Sequence, residues 1–166
     1  MSPMRLSTTP IEPVRKRRVV PLDQQRAFDL FTERIGDWWP LRTHSIAPER
    51  ARGVRFEAGI GGHVVEECDD GTEHRWAEVI AWDPPHRFAL AWHPNPRPVA
   101  ATVVDVRFAA AEGGGTVIEL EHRGFEELGT EDGTTARAGY DPGWDEVLDV
   151  LDTRICDEIS GQAVLP

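Results

Sequence analysis

Apolar residues recur along this chain with two different periods, and the switches between them mark out the elements. After a short strand opening near Val14, Pro21-Leu22-Asp23 starts a predicted helix in which Ala27, Leu30, Phe31 and Ile35 form one apolar stripe. Asp23 suits the positive end of that helix, and Gly36 is expected to end it. Asp37-Trp38-Trp39-Pro40 then places two aromatics in a turn or a short second helical segment, because Pro40 does not continue an ordinary helix. From Gly53 the spacing becomes that of extended chain. Strands are expected around 53–57, 62–68, 74–82, 87–93, 101–109 and 116–123, joined by Asp69-Asp70-Gly71-Thr72, Asp83-Pro84-Pro85 and Gly113-Gly114-Gly115. Val104, Val106, Phe108, Ile118 and Leu120 alternate toward a core, with Asp105, Arg107, Glu119 and Glu121 toward water. Helical spacing returns at Trp144, Val147, Leu148, Leu151, Ile155 and Ile159, opposite Asp145, Glu146, Asp149, Asp152, Arg154 and Glu158.

That order predicts an α+β protein: a seven-stranded antiparallel sheet closed by one long helix that Tyr140-Asp141-Pro142-Gly143-Trp144 opens. The polar stretch from Arg123 to Tyr140 is long for a connection, and is either a lid or a loosely ordered excursion anchored by Phe125 and Leu128. Residues 1–13, with Pro3, Pro10 and Pro13, are expected to be a mobile tail, leaving 14–163 as a single domain.

Composition narrows the function. A chain of 166 residues, 40% hydrophobic with six tryptophans, has material for one sizeable core. A net charge of −11 opposes attraction to nucleic acid or anionic membrane. Arg15-Lys16-Arg17-Arg18 runs against that charge and reads as a solvated edge strand protected from aggregation rather than as a phosphate-binding patch. Without a signal-peptide h-region or an apolar span, the chain is expected to be cytoplasmic. Cys68 and Cys156 fit no metal or redox spacing and are expected to be buried free thiols.

Several segments carry a resemblance: Phe28-Asp29-Leu30-Phe31, Gly61-Gly62, Glu78-Val79-Ile80-Ala81-Trp82-Asp83-Pro84-Pro85, Phe88-Ala89-Leu90-Ala91-Trp92, Glu121-His122-Arg123-Gly124-Phe125 and Gly143-Trp144. In their order the chain resembles the helix-grip fold of the START/Bet v 1-like (SRPBCC) superfamily, and within it the family named for the activator of Hsp90 ATPase homologue. The resemblance implies a curved sheet wrapped around the long C-terminal helix, one or two short helices after the first strand, and a cavity that in related proteins holds lipids, sterols or aromatic polyketides. Many single-domain relatives lack the additional co-chaperone domain, so Hsp90 activation is not the main activity expected of this chain.

Catalytic signatures are sparse. No His-x-His, His-Glu-x-x-His or Gly-x-Ser-x-Gly pattern occurs, and Gly59-Ile60-Gly61-Gly62 leads into a strand where a nucleotide loop would lead into a helix. Neither a metal nor a cofactor is therefore expected. If Trp76, Ile80 and Trp82 face the closing helix, alternation brings Glu78 to the same side, and His122 shares a face with Ile118 and Leu120. A carboxylate in an apolar cavity has its pKa raised, and a nearby histidine could exchange a proton with a ligand. Taken alone, each reads more readily as a structural group, Glu78 paired with an arginine and His122 a satisfied core residue or one at the wet strand end.

The expected activity is binding of a small apolar, aromatic or lipid-like molecule. Trp38, Trp39, Trp76, Trp92, Phe125 and Trp144 would shape the site, and Glu78 and His122 would orient a polar group. The alternatives are a cyclase or dehydratase using Glu78 or His122 as acid or base, and a co-chaperone-like module with a protein partner. Monomer and homodimer both remain open.

Overall fold

The computed structural model describes residues 9–94 and 100–164, with side chains described through residue 160. Strand β1 (Val14–Val20) leads into helix α1 (Gln24–Phe31), and the strands β2 (Ala51–Phe56), β3 (His63–Cys68), β4 (Glu73–Asp83), β5 (Arg87–Trp92), β6 (Thr102–Ala110) and β7 (Thr116–Arg123) follow. Helix α2 (Thr130–Val164) closes the chain. The strands form one curled antiparallel sheet in the order β1-β7-β6-β5-β4-β3-β2, so β1 and β2 are its edges. Trp144, Val147, Leu148, Leu151 and Ile155 of α2 are buried in the same core as Val104, Val106, Phe108, Ile118 and Leu120. Burying these α2 residues contributes about 1.5–3 kcal/mol each before chain entropy is subtracted.

Local chemistry sets the helix ends. The Asp23 carboxylate caps α1 by accepting the Arg26 N–H at 2.8 Å. The helix stops at Phe31, short of Gly36, where the Thr32 hydroxyl donates to the Phe28 carbonyl, and a separate 3-10 turn covers Ile35–Asp37. Trp38 and Trp39 follow this turn, pack on each other at 5.7 Å, and otherwise meet different aromatic neighbours. Trp38 joins Phe31, Phe28, Phe88 and Phe108 in a filled end of the core, whereas Trp39 joins Trp76, Trp92 and Trp144 at the other end.

Several expectations need correction. First, the closing helix begins at Thr130, and the stretch read as a lid or excursion is a 3-10 turn (Phe125–Leu128) followed by the first turns of α2. Gly133, Gly139 and Pro142 are poor helix formers and hid this segment; packing overrides their propensity. Gly133 lies so close to the preceding turn that a Cβ there would sit 2.2 Å from the Phe125 carbonyl oxygen.

Second, the basic run is only half solvated. Lys16 and Arg18 point to the helix side of β1: Lys16 Nζ lies 2.6 Å from Asp141 and 2.9 Å from Asp145, and Arg18 reaches Asp145, Asp149 and Asp152. The acidic face of α2, expected to face water, thus clamps the sheet edge. Burial alone would lower the Lys16 pKa, but the hydrogen bonds to Asp141 and Asp145 outweigh it and raise it.

Third, Cys68 is buried but Cys156 is exposed. Asp105, expected in water, is buried beneath the arginines of the outer sheet face and takes both Arg87 Nε (2.9 Å) and Arg87 Nη2 (2.8 Å). The N-terminal residues 9–13 are tied to the domain: Ile11 packs on the core, and Arg137 donates to the Glu12 carbonyl at 2.6 Å. Residues 1–8 of the expected tail lie outside the described residues.

Candidate functional site

A cavity of about 450 Å³ opens between the sheet, the 39–46 segment and the first turns of α2. Four indoles line it. Their rings pack on one another as one cluster, with centroid separations of 5.1 Å (Trp39–Trp76), 6.1 Å (Trp76–Trp92), 5.7 Å (Trp92–Trp144), 6.0 Å (Trp144–Trp39) and 6.5 Å across it (Trp39–Trp92). Besides Trp144, the helix lines the cavity with Ala136, Gly139, Tyr140 and Gly143, three of which have little or no side chain. Their smallness leaves room for the cavity: a Cβ added at Gly139 would meet no atom within 4 Å.

Each of these four indole N–H groups is used inside the protein. Trp39 donates to the His44 carbonyl (2.7 Å), Trp76 to Glu66 Oε1 (3.0 Å), Trp92 to the Tyr140 hydroxyl (3.0 Å) and Trp144 to His122 Nδ1 (2.9 Å). These bonds fix the ring orientations and present aromatic surface to the cavity.

Of the residues singled out from sequence, Trp39, Trp76, Trp92 and Trp144 therefore come together. Trp38 is buried in the filled aromatic group, its N–H donating to the Leu30 carbonyl at 2.7 Å. Phe125 and His122 are fully buried behind the cavity wall. Glu78 lies on the outer sheet face, half exposed, with His63 Nε2 3.8 Å away. Two register irregularities account for it, one where β3 pairs with β4 and one between Val79 and Ala81 against β5. Each reverses the alternation of β4, so Trp76 and Trp82 reach the core as expected while Glu78 and Ile80 between them turn outward.

His122 is committed to structure. Because the Trp144 indole can only donate, Nδ1 must be unprotonated, and Nε2–H then donates to Thr102 Oγ1 at 2.7 Å. A second proton would face the Trp144 N–H. Burial accordingly depresses the His122 pKa to about 3, which keeps the ring neutral and removes it as a base at neutral pH.

Sequence reasoning missed three groups. Tyr140 lines the cavity one helical turn before Trp144, a relation hidden because Tyr140–Trp144 reads as the opening of the helix and the apolar stripe counts only from Trp144. At the mouth, His44 Nε2 lies 3.1 Å from Glu146 Oε2, and His44 Nδ1 is 2.7 Å from Thr43 Oγ1. Glu66 is the third: fully buried, it accepts from the Ile46 N–H (2.7 Å), the Ala47 N–H (2.9 Å), Trp76 Nε1 and Cys68 Sγ. It pins the 39–46 segment and Trp76 at once. Glu66, Cys68 and His74 bring ligand-type atoms within 4.8 Å of one another, a grouping not foreseen from their spacing, yet both Glu66 oxygens are already occupied by these donors.

The family described as Activator of Hsp90 ATPase homolog 1-like protein matches residues 22–155. The chain belongs to this family. Among members of the fold, Txn09, an anthrahydroquino-gamma-pyrone synthase solved in complex with SUM, is 33% identical, with 78% of this chain and 87% of that one covered and a TM-score of 0.53. CalC from Micromonospora echinospora, a self-sacrificing resistance protein, is 26% identical over 88% of this chain and 95% of its own, with a TM-score of 0.63. The Aha1 dimer from Colwellia psychrerythraea, at 14% identity, 87% and 96% coverage and a TM-score of 0.63, shares the fold. No curated protein matches the sequence. As an Activator of Hsp90 ATPase homolog 1-like protein the chain has a ligand-binding fold, and among the described residues no helix is long and apolar enough to cross a membrane.

Proposed function

We propose that the chain binds a flat, largely apolar aromatic molecule in the cavity, against the cluster of four tryptophans that lines it. The observation that carries this reading is the cluster itself: four packed indoles, each with its polar edge satisfied, line a cavity of about 450 Å³. Stacking on such surfaces contributes about 0.5–1.5 kcal/mol per ring pair beyond area burial. Native mass spectrometry should reveal a co-purifying aromatic molecule, and planar aromatic probes should quench tryptophan fluorescence. Trp39→Ala should weaken that binding about 10-fold or more. Absence of any quenching or thermal shift across a set of planar aromatics would sink the reading.

A second reading is a cyclase- or dehydratase-type enzyme, favoured by the 33% identity to a synthase. Its acid–base groups would be those at the cavity, Tyr140 and the His44–Glu146 pair, in place of Glu78 and His122. Glu146→Gln should then lower turnover about 10²- to 10⁴-fold while leaving ligand affinity nearly unchanged. Sedimentation equilibrium distinguishes a monomer from the homodimer that the Aha1 likeness brings into view.

A further inference from the structure

The cavity wall contains one hydroxyl whose hydrogen-bonding capacity is only half used. Tyr140 accepts the Trp92 Nε1–H at 3.0 Å, and among the described residues its own O–H donates to nothing. The other polar groups of the wall are placed differently. Ser45 donates to the Leu41 carbonyl, both His44 ring nitrogens have partners, all four indole N–H groups are spent, and Thr135 is exposed at the rim. Tyr140 is therefore the inward donor available to a bound molecule. A phenol whose oxygen already accepts a hydrogen bond is polarised into a better donor. Burial raises the Tyr140 pKa, so the proton stays on the oxygen at neutral pH.

The matching ligand group is an acceptor. A carboxylate would meet Glu146 at the mouth and the −11 net charge of the chain, so an uncharged oxygen fits better. We propose that the Tyr140 hydroxyl donates to a carbonyl oxygen of the bound ring system, so that the cavity selects aromatic ketones or quinones and orients them with that oxygen at the Trp92–Tyr140 corner. This rests on the aromatic-binding reading and adds to it a polar contact and an orientation.

The test uses two probes of the same ring skeleton, 9,10-anthraquinone and anthracene, titrated into the full chain with tryptophan quenching as readout. The wild type should bind anthraquinone about 3- to 10-fold more tightly than anthracene, the range expected of one hydrogen bond. Y140F should lose that preference, the ratio of its affinities for the two probes falling to about one. Infrared difference spectra should show the anthraquinone carbonyl band lowered in the wild-type complex and not with Y140F. Equal affinity for the two probes in the wild type, or a preference that survives in Y140F, overturns the assignment and leaves aromatic binding standing. If neither probe quenches, the aromatic-binding reading falls and this inference with it. Should Y140F fail to fold because the Trp92 N–H loses its acceptor, the wild-type carbonyl band decides: lowered supports the contact, unshifted overturns it.

Discussion

Glu66 and His122 hold the site from behind its wall, and each makes a prediction at the scale of a single side chain. Glu66→Ala would leave the Trp76 indole and the Ile46 and Ala47 amides without their acceptor. The expected loss is about 3 kcal/mol in urea unfolding, with Glu66→Gln intermediate. His122 links stability to pH. Its folded pKa of about 3 lies below the ordinary histidine value of about 6.5, so the unfolded chain takes up a proton that the folded one refuses. Stability from this group is complete above about pH 6.5 and falls as pH drops toward 3, by at most about 1.4 kcal/mol per pH unit. Urea titrations at pH 7, 5 and 4 should show a shallower decline for His122→Gln than for wild type, although the variant starts lower. The inward face of His122 was legible from Ile118 and Leu120. Its partners were not, because Thr102 and Trp144 come from other elements. Glu66 was legible in principle, since it alternates with Val64 and Cys68 on a buried strand face.

At the scale of the element, the first turns of α2 behave differently from the rest of the helix. Gly139 has open space where its side chain would be and an ordinary helical backbone, so Gly139→Ala should stabilise by about 1 kcal/mol through propensity alone. Gly139→Leu should fold normally yet lose aromatic binding by filling the cavity, a dissociation that thermal melts and fluorescence titrations together would detect. Gly133→Ala should do the opposite, destabilising by roughly 2 kcal/mol or more, because the Phe125 carbonyl occupies the place of the methyl. Sequence periodicity read α2 correctly from Trp144 onward, where every turn contributes a buried apolar residue. It failed before that point because glycines and a proline carry no periodic signal. On β4 it failed for a different reason: strand alternation assumes an unbroken register, and irregularities that reverse it have no mark in the residues themselves.

Across the whole molecule, charge is distributed so that a chain of net −11 folds its acidic helix face onto its own basic edge strand. Asp141 is held below its ordinary pKa by the Lys16 hydrogen bond and Lys16 above its own, so that pair is intact from above the ordinary aspartate value to below the ordinary lysine value, roughly pH 4 to 10, whereas burial raises the pKa of Asp152 under Arg18. Salt should weaken the clamp. Raising NaCl from 0.1 to 1 M, which shortens screening to about 3 Å, should lower the urea midpoint of the wild type more than that of a Lys16→Met/Arg18→Met double variant. The sheet order was legible because short hairpins join most neighbouring strands; the β1–β7 pairing and the clamp above it were not, since both join the two ends of the chain. The division of α2 bears on how such a protein diversifies. From Trp144 its inward residues carry the core, so selection has little freedom there. Ala136, Gly139 and Gly143 carry almost none of it, and a lineage could exchange them for larger residues to recut the chamber for a new guest molecule while its foundation stays unchanged.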